Sequence, residues 1–185
     1  MATETQVRLH PFDAARDCAL IEQWLRAPHG VRWWGNPEHA LREVLRPARG
    51  GGDALIVVGA TPVGYVRWLT PARDELDVAG LHHIFENAVD IDMAIGEPGY
   101  LGRGVASQAL RLLVRRLRSA DAACMLMMCT SVYNTSAIRA CERAGFERDR
   151  VFSDPEFGDM WLLTIRSGSK PITSTSDPGS ATDEE

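Results

Sequence analysis

The sequence predicts an α/β fold of the α+β kind, with a mixed central sheet of about six to seven strands and about four helices. Three observations support this prediction. Strand-like and helix-like segments alternate along the chain. The length of 185 residues, 45% of them hydrophobic and 24% charged, suits one globular domain. A glycine-rich turn over residues 97–104 separates a strand from the longest amphipathic segment.

The first elements are a strand and two helices. Val7–His10 has the apolar character of a short strand. Asp13 is a candidate N-cap of a helix that continues to Leu25. Pro37 suits the first position of a second helix, which ends near Arg46.

The next elements are strands separated by an irregular segment. Ala54–Ala60 and Val63–Leu69 form a predicted hairpin around Thr61-Pro62. Residues 70–87 are acidic and show no periodicity. Val89–Ile95 then alternates strictly, which predicts a strand with one apolar face and one face that carries carboxylates. The carboxylate-bearing face has Asp90, Asp92 and Ala94.

The remaining elements follow the glycine-rich turn. A helix through Leu117 comes first, and a second helix is bounded by Asn134 as N-cap and Gly145 as stop. Three strands complete the predicted sheet: Cys124–Thr130, Phe146–Phe152 and Met160–Ile165. We therefore place the folded domain at residues 1–166. Residues 167–185 are predicted to be a disordered acidic tail because they contain almost nothing apolar.

Composition excludes several classes of protein. A net charge of −5 argues against a nucleic-acid partner, and the apolar runs are too short to span a membrane. The first residues lack the features of a signal peptide, so we expect a cytoplasmic protein with reduced thiols. The four cysteines lack metal-ligand spacing, so no metal is expected.

Charge is segregated along the chain. Residues 71–92 contain six acids and one arginine, whereas residues 101–119 contain five arginines and no acid. The first stretch suits a cationic ligand and the second an anionic one. Two solvated faces would give the same pattern.

The clearest motif is the turn Leu101-Gly102-Arg103-Gly104-Val105-Ala106. Glycine lets the backbone approach a ligand closely, and a helix start offers free N–H groups, so the turn suits a pyrophosphate. It is no P-loop, since no Gly-Lys-Ser/Thr follows, and the glycine spacing does not fit a dinucleotide-binding turn.

This turn resembles motif A of the GNAT N-acetyltransferase superfamily, Gln/Arg-x-x-Gly-x-Gly/Ala. Gly104 and Ala106 fill the small positions, while Leu101 stands where Gln or Arg is usual. The helix after Asn134, which ends in Ala144-Gly145-Phe146, is similar to a second block of the family. The resemblance covers roughly residues 7–166. It implies a GNAT fold whose splayed central strands hold acetyl-CoA as co-substrate.

Within the superfamily, the chain is most similar to the aminoglycoside 6′-N-acetyltransferases. The Trp33-Trp34-Gly35 stretch and the Leu-Gly-Arg-Gly form of motif A both occur in that branch. The resemblance makes Asp92 the catalytic base. It implies that the acceptor contacts Trp33, Trp34, Asp77, Asp92 and Glu156, and that acetyl-CoA contacts Met93, Ala94, Ile95, Leu101, Gly102, Arg103, Gly104, Val105, Ala106 and Asn134.

Two positions depart from the branch. Cys141 replaces the helix tyrosine proposed to protonate the leaving thiolate, and Cys129 replaces an acidic residue that helps to hold the aminoglycoside. Cys141 is a candidate acid because a thiol can donate a proton, but a small core residue is the favoured interpretation, since free cysteines are commonly buried. Asp92 could likewise be a solvated carboxylate, and Trp33 or Trp34 a core residue or a substrate wall on a loop.

The expected function is acetyl transfer from acetyl-CoA to a primary amine of a small polycation, first of all the 6′-amine of aminoglycoside antibiotics. An N-acyltransferase of hydroxamate siderophores, other small amines or peptides is the alternative among enzymes. A non-catalytic module that binds acyl-CoA is the alternative outside them. Because members of the superfamily are often dimers, a homodimer is possible.

Overall fold

A computed structural model of the chain describes residues 6–85, 87–122 and 124–166. The strands are β1 Val7–Pro11, β2 Gly52–Val58, β3 Thr61–Leu69, β4 Val89–Ile95, β5 Leu126–Ser131, β6 Glu147–Asp154 and β7 Gly158–Ile165. The helices are α1 Ala14–Arg26, α2 Pro28–Trp34, α3 Pro37–Leu45, α4 Arg73–Val78, α5 Val105–Ala120 and α6 Thr135–Arg143. A single 3-10 turn covers Pro98–Tyr100. The predicted tail, residues 167–185, lies outside the described residues.

The seven strands form one mixed sheet in the order β1-β2-β3-β4-β5-β7-β6. Only β4 and β5 pair in parallel, and α5 provides the crossover that a parallel pair requires. The predicted α+β architecture with six to seven strands is therefore confirmed.

The predicted number of helices is too low. The part of the chain that the structure describes contains six, because α2 and α4 have seven and six residues and bury only Gly30 and Leu76, respectively. Such short helices show no apolar periodicity in the sequence. Trp33 and Trp34 consequently lie on a helix rather than on the expected loop.

The hairpin turn also lies elsewhere than predicted. It is formed by Gly59, with a φ of 63°, and Ala60, while Thr61 and Pro62 belong to β3. Pro62 is tolerated in this strand because the pairing with β2 is irregular beside it, between Ile56 and Val57.

The predicted helix boundaries at Asp13 and Asn134 are confirmed. The Asp13 carboxylate accepts hydrogen bonds from the N–H groups of Ala15 and Arg16. The Asn134 amide oxygen accepts one from Ala137 N–H. Both side chains satisfy donors that a helix start leaves free.

The sheet has an apolar core on each face. The face toward α5 and α6 carries a cluster that includes Val66, Ile91, Leu113 and Leu163. The opposite face packs Leu55 and Tyr65 against α1 and α3, and Met127 and Leu162 against α4. The strands β2, β3, β5 and β7 therefore contribute side chains to both layers.

The sheet opens at its centre. Between β4 and β5 only two residue pairs are in register, Val89 with Leu126 and Asp90 with Met127. Both strands continue beyond this point, to Ile95 and Ser131, but they no longer pair with each other. The predicted splay of the central strands is thus present. Among the helices of the described residues, none has the length and apolarity to cross a bilayer.

Candidate active site

The gap between β4 and β5 is part of a cavity of about 510 Å³. One side is lined by α1 and α2, and the other by the turn before α5 and by α6. The cavity therefore joins the two faces of the sheet. It brings together these residues named from the sequence: Trp33, Trp34, Met93, Ala94, Ile95, Leu101, Gly102, Gly104, Val105, Ala106, Asn134 and Cys141.

The backbone of β4 presents donors to the gap. Val89 N–H donates to Met125 O on the β5 side at 2.8 Å, and Gly96 N–H donates to Val63 O on the β3 side at 2.9 Å. Because N–H groups alternate along a strand, those of Met93 and Ile95 point into the gap, and that of Ala94 points toward β3. Met93 and Ile95 can therefore polarise a carbonyl oxygen placed there.

The turn before α5 is built for close approach of an anion. Gly102 and Gly104 have φ values of 71° and 76°, and Gly104 is the N-cap of the 16-residue helix α5. The first N–H groups of this helix have no partner within it, and the helix dipole is positive at this end. The exposed Arg103 guanidinium lies over the Tyr100 ring, 5.8 Å from its centroid, and does not line the cavity.

Cys141 is a poorer acid than the sequence suggests. Its side chain is buried against β5, where its thiol donates to Met128 Sδ at 3.6 Å. Burial raises the pKa of this thiol to about 12. Since a thiol leaving group has a pKa of about 8.5, proton transfer from Cys141 to it would be uphill. Burial and the raised pKa favour the packing alternative for Cys141 over the predicted general acid.

Asp92 lies on the sheet face opposite α5 and α6. It stands directly across from Arg67 on β3, which is buried and binds Asp53 through Nε at 2.8 Å. Arg67 also donates to the carbonyls of Glu43, Val44 and Arg46 at the end of α3. A fixed cation is thus placed beside the predicted base.

The pKa of Asp92 is raised. Desolvation on the sheet face is the largest cause, and the charge of Glu75 on α4 adds to it, whereas Arg67 lowers the pKa. The Asp92 residue nevertheless remains exposed to solvent. A higher pKa makes a carboxylate a better base near neutral pH.

Further charged residues of this face were missed from the sequence. Asp90 shares the face of Asp92 on β4, and together they raise the pKa of Cys129 on β5, with burial as the main cause. The alternating pattern of β4 had placed Asp90 here, but no motif singled it out. Arg67 and Glu75 carried no signal, because their relation to Asp92 arises only from strand pairing and helix packing.

Asp77 is engaged in local ion pairs. Its carboxylate lies 2.9 Å from Arg73 and 3.0 Å from His82, and these partners lower its pKa. On the same helix, the residue whose charge acts on Asp92 is Glu75. The structure therefore places Glu75, rather than Asp77, next to the predicted base.

Glu156 lies against the segment between α2 and α3. Its carboxylate is 3.4 Å from His39 Nδ1, and the neighbouring Phe157 ring lies over Gly35, immediately after Trp34. The turn between β6 and β7 thus reaches Gly35 at the end of α2, although Glu156 and Asp92 do not themselves line the cavity.

The family follows from this architecture and from comparison with known proteins. A model of the acetyltransferase (GNAT) domain matches residues 13–153. The chain belongs to the GNAT acetyltransferase family. It is accordingly an enzyme of the acyltransferase class.

Two relatives of this GNAT chain have named activities. An aminoglycoside N(6′)-acetyltransferase type 1 from Klebsiella pneumoniae is 24% identical over 164 residues, covering 81% of this chain and 79% of the relative. The lysine N-acyltransferase MbtK from Mycobacterium sp. (strain MCS) is 28% identical over 143 residues, covering 74% of this chain and 58% of MbtK.

Solved structures share the GNAT fold. The aminoglycoside acetyltransferase AAC(6′)-Ib, crystallised with coenzyme A and kanamycin, superposes with a TM-score of 0.73 at 21% identity. The match covers 89% of this chain and 96% of that one. An uncharacterised Bacillus halodurans protein gives a TM-score of 0.71 at 15% identity, covering 88% and 85% of the two chains.

Proposed function

We propose that the protein transfers the acetyl group of acetyl-CoA to a primary amine of a small polycationic acceptor, with the 6′-amine of aminoglycoside antibiotics as the first candidate. One observation carries the proposal: the gap in the sheet has an anion-binding helix start on one face and a carboxyl-bearing face on the other. The similarity to an aminoglycoside N(6′)-acetyltransferase supports this choice of acceptor.

The donor side is formed by α5, α6 and the edge of β4. Acetyl-CoA supplies an activated thioester. The N–H groups at the start of α5 suit its pyrophosphate, with Arg103 beside them, and Asn134 lies where α6 borders the cavity. The N–H groups of Met93 and Ile95 would stabilise the negative charge that develops on the carbonyl oxygen.

The acceptor side is formed by the opposite face. Asp92 would attract the ammonium group of the acceptor and take the proton that the amine loses. Trp33 and Trp34 would form an apolar wall, and the carboxylates of Glu156 and Asp77 would attract further amino groups. Because Cys141 holds its proton strongly, the departing thiolate would take a proton from water.

A second candidate acceptor is the side-chain amine of lysine or a related small amine, including the precursors of hydroxamate siderophores. The similarity to MbtK supports it. The charge of the acceptor face favours the polycation. This face has three carboxyl groups, those of Asp90, Asp92 and Glu75, which is more than one ammonium group requires.

Release of free thiol from acetyl-CoA tests the proposal. The acceptors are aminoglycosides with a 6′-amine, 6′-hydroxyl analogues as matched controls, lysine, N-hydroxylysine, spermidine and an N-terminal peptide. We expect turnover with the 6′-amines and none with the 6′-hydroxyl analogues. Turnover with lysine or its N-hydroxy derivative alone would favour the second candidate, and binding of acetyl-CoA without turnover on any of these amines would contradict both choices of acceptor.

We further propose that the domain comprises residues 1–166 and acts in the cytoplasm, where acetyl-CoA is made. Its partners would be small molecules rather than nucleic acid or membrane, in keeping with the net charge of −5. A homodimer is proposed from the habit of the superfamily and would be measured by light scattering.

A further inference from the structure

One carboxyl oxygen near the gap has no hydrogen-bond partner. Within residues 6–85, 87–122 and 124–166, Asp90 Oδ1 is the buried side-chain oxygen or nitrogen that lacks one. Buried polar atoms are almost always partnered, so an exception at a functional site calls for an explanation. Asp90 belongs to the last residue pair that joins β4 to β5, where the gap begins.

The position of Asp90 relates it to the predicted base. Asp90 and Asp92 are two residues apart on β4 and share one face, with Cα atoms about 7 Å apart along the strand. Ionisable and charged groups reach this pair from every neighbouring element. They are Glu75 on α4, Arg67 on β3, Cys129 on β5 and, acting on Cys129, Asp154 on β6.

The two carboxyls differ in their tendency to ionise. Burial raises the pKa of Asp90 well above its usual range, and the charge of Asp92 raises it further. Arg67 opposes the rise at Asp92 but does not act on Asp90 to a comparable degree. As the pH rises, Asp92 therefore loses its proton first, and Asp90 keeps its proton longer.

We propose that Asp90 is a second acceptor-binding carboxyl, whose unpartnered Oδ1 accepts a hydrogen bond from a second ammonium group of the acceptor while the reacting amine faces Asp92. The inference rests on the proposed function, since it assigns the acceptor to this face. It defines the preferred acceptor as a compound with two amino groups at a spacing of about 7 Å, the distance between alternate residues of a strand.

Binding by this route releases a proton. In the free protein, burial and the charge of Asp92 raise the pKa of Asp90 and so favour its protonated form. When the second ammonium group binds, the acid O–H bond breaks, the proton passes to solvent, and the carboxylate accepts a hydrogen bond from the ammonium, which keeps its own protons. An acceptor with a hydroxyl in place of this ammonium leaves Asp90 protonated, because it provides no charge to compensate a buried carboxylate.

Calorimetry tests the inference independently of turnover. Kanamycin A and kanamycin B serve as probes, because they differ by one hydroxyl-to-amino replacement on the sugar that carries the 6′-amine. Each is titrated into the CoA-saturated full chain in two buffers of different ionisation enthalpy, which yields affinity and the number of protons released. The proteins are the wild type, Asp90→Asn and Asp74→Asn, the last making the same substitution at an exposed aspartate on α4.

The wild type is expected to bind the probe with the additional amine about tenfold more tightly and to release up to one proton, since hydrogen bonds to charged groups are the strong ones. Asp90→Asn should lose both the preference and the proton release, whereas Asp74→Asn should keep both. Asp90→Ser serves as a second variant should the Asn protein not fold. Equal affinities in the wild type, no binding of either probe, or a preference retained in Asp90→Asn would overturn the inference.

Turnover measured in parallel separates this inference from the proposed function. An Asp90-dependent preference in binding without thiol release would contradict the proposed acetyl transfer and leave the role of Asp90 intact. Thiol release with the same acceptor preference in the wild type and in Asp90→Asn would contradict the role of Asp90 alone.

Discussion

At the scale of single residues, Asp92 is the group on which the proposed chemistry depends. Replacement by asparagine removes the base and preserves the shape. We expect Asp92→Asn to lower kcat/KM by a factor of about 10² to 10⁴, the range of general base catalysis. Affinity for CoA should be nearly unchanged, because Asp92 lies on the face opposite α5 and α6. Steady-state thiol release and CoA titration measure the two effects.

The matched control is again Asp74→Asn, which alters net charge equally on an exposed part of α4. It should remain within about twofold of the wild type, as expected for a screened surface charge. Equal activity of Asp92→Asn and the wild type would show that water, rather than Asp92, accepts the proton.

The charges around Asp92 predict the pH dependence. Burial and Glu75 raise the pKa of Asp92, so the base is lost, and activity falls, as the pH drops through a value above the ordinary aspartate pKa of about 3.9. Glu75→Gln removes one cause of the rise and should move this acid limb to lower pH. The measurement is kcat/KM against pH for both proteins, and an unmoved limb would mean that Glu75 does not act on the base.

The sequence could identify the residues that lie within local motifs. Asp92, Gly104 and Asn134 are found by a strand pattern, a turn and a helix cap, each contained in a few consecutive residues. Arg67 and Glu75 could not be found in this way. Their effect on Asp92 depends on the register of β3 against β4 and on the packing of α4, which are set by contacts between distant segments.

At the scale of elements, the turn before α5 needs a left-handed backbone at Gly104. Gly104→Ala should cost about 1 kcal/mol in stability, because an L side chain strains such a φ. Affinity for CoA should fall as well, since the donors at the helix start would shift. Gly59→Ala is the matched control: its φ is 63° and its added Cβ meets no heavy atom within 4 Å.

Gly59→Ala should lose a similar amount of stability while binding CoA as the wild type does, since Gly59 lies in the hairpin turn between β2 and β3. Urea denaturation and CoA titration give both quantities. If both variants bind CoA equally well, the turn before α5 does not hold the cofactor.

The junction of α1 with the end of β4 depends on a different glycine. A Cβ at Gly96 would lie 2.0 Å from the Trp24 ring, whose Nε1 donates to Glu97 at 2.8 Å. Gly96→Ala should therefore destabilise the fold by about 1 to 3 kcal/mol, as overpacking does. Gly99→Ala, with no heavy atom within 4 Å of its added Cβ, should be nearly neutral in the same urea titration. Equal stability of the two variants would contradict this packing.

The elements that the sequence predicts well are those with a cap and a long periodic face. The helix after Asp13 and the helix after Asn134 are of this kind. The short helices α2 and α4 were missed because each exists through packing against the rest of the molecule rather than through its own pattern. Of the candidate site residues, Trp33 and Trp34 lie on α2 and Asp77 lies on α4.

At the scale of the whole molecule, the alternation of elements predicts the class of fold but not the order of strands. Nothing local indicates that β7 lies between β5 and β6. Nor does any single strand show that β4 and β5 separate after two residue pairs, because splaying is a relation between them. It was expected only from the resemblance to the GNAT superfamily.

The opening through the sheet has a consequence for the order of events during turnover. A cavity lined from both faces of the sheet would let each substrate arrive and each product leave by its own side. Desulfo-CoA, a donor mimic without the reacting sulfur, should therefore compete with acetyl-CoA but not with the amine. The acetylated amine should show the reverse pattern. Competition of one inhibitor with both substrates would mean that the two substrates share a single entrance. The cavity would then not be open to solvent on both faces of the sheet.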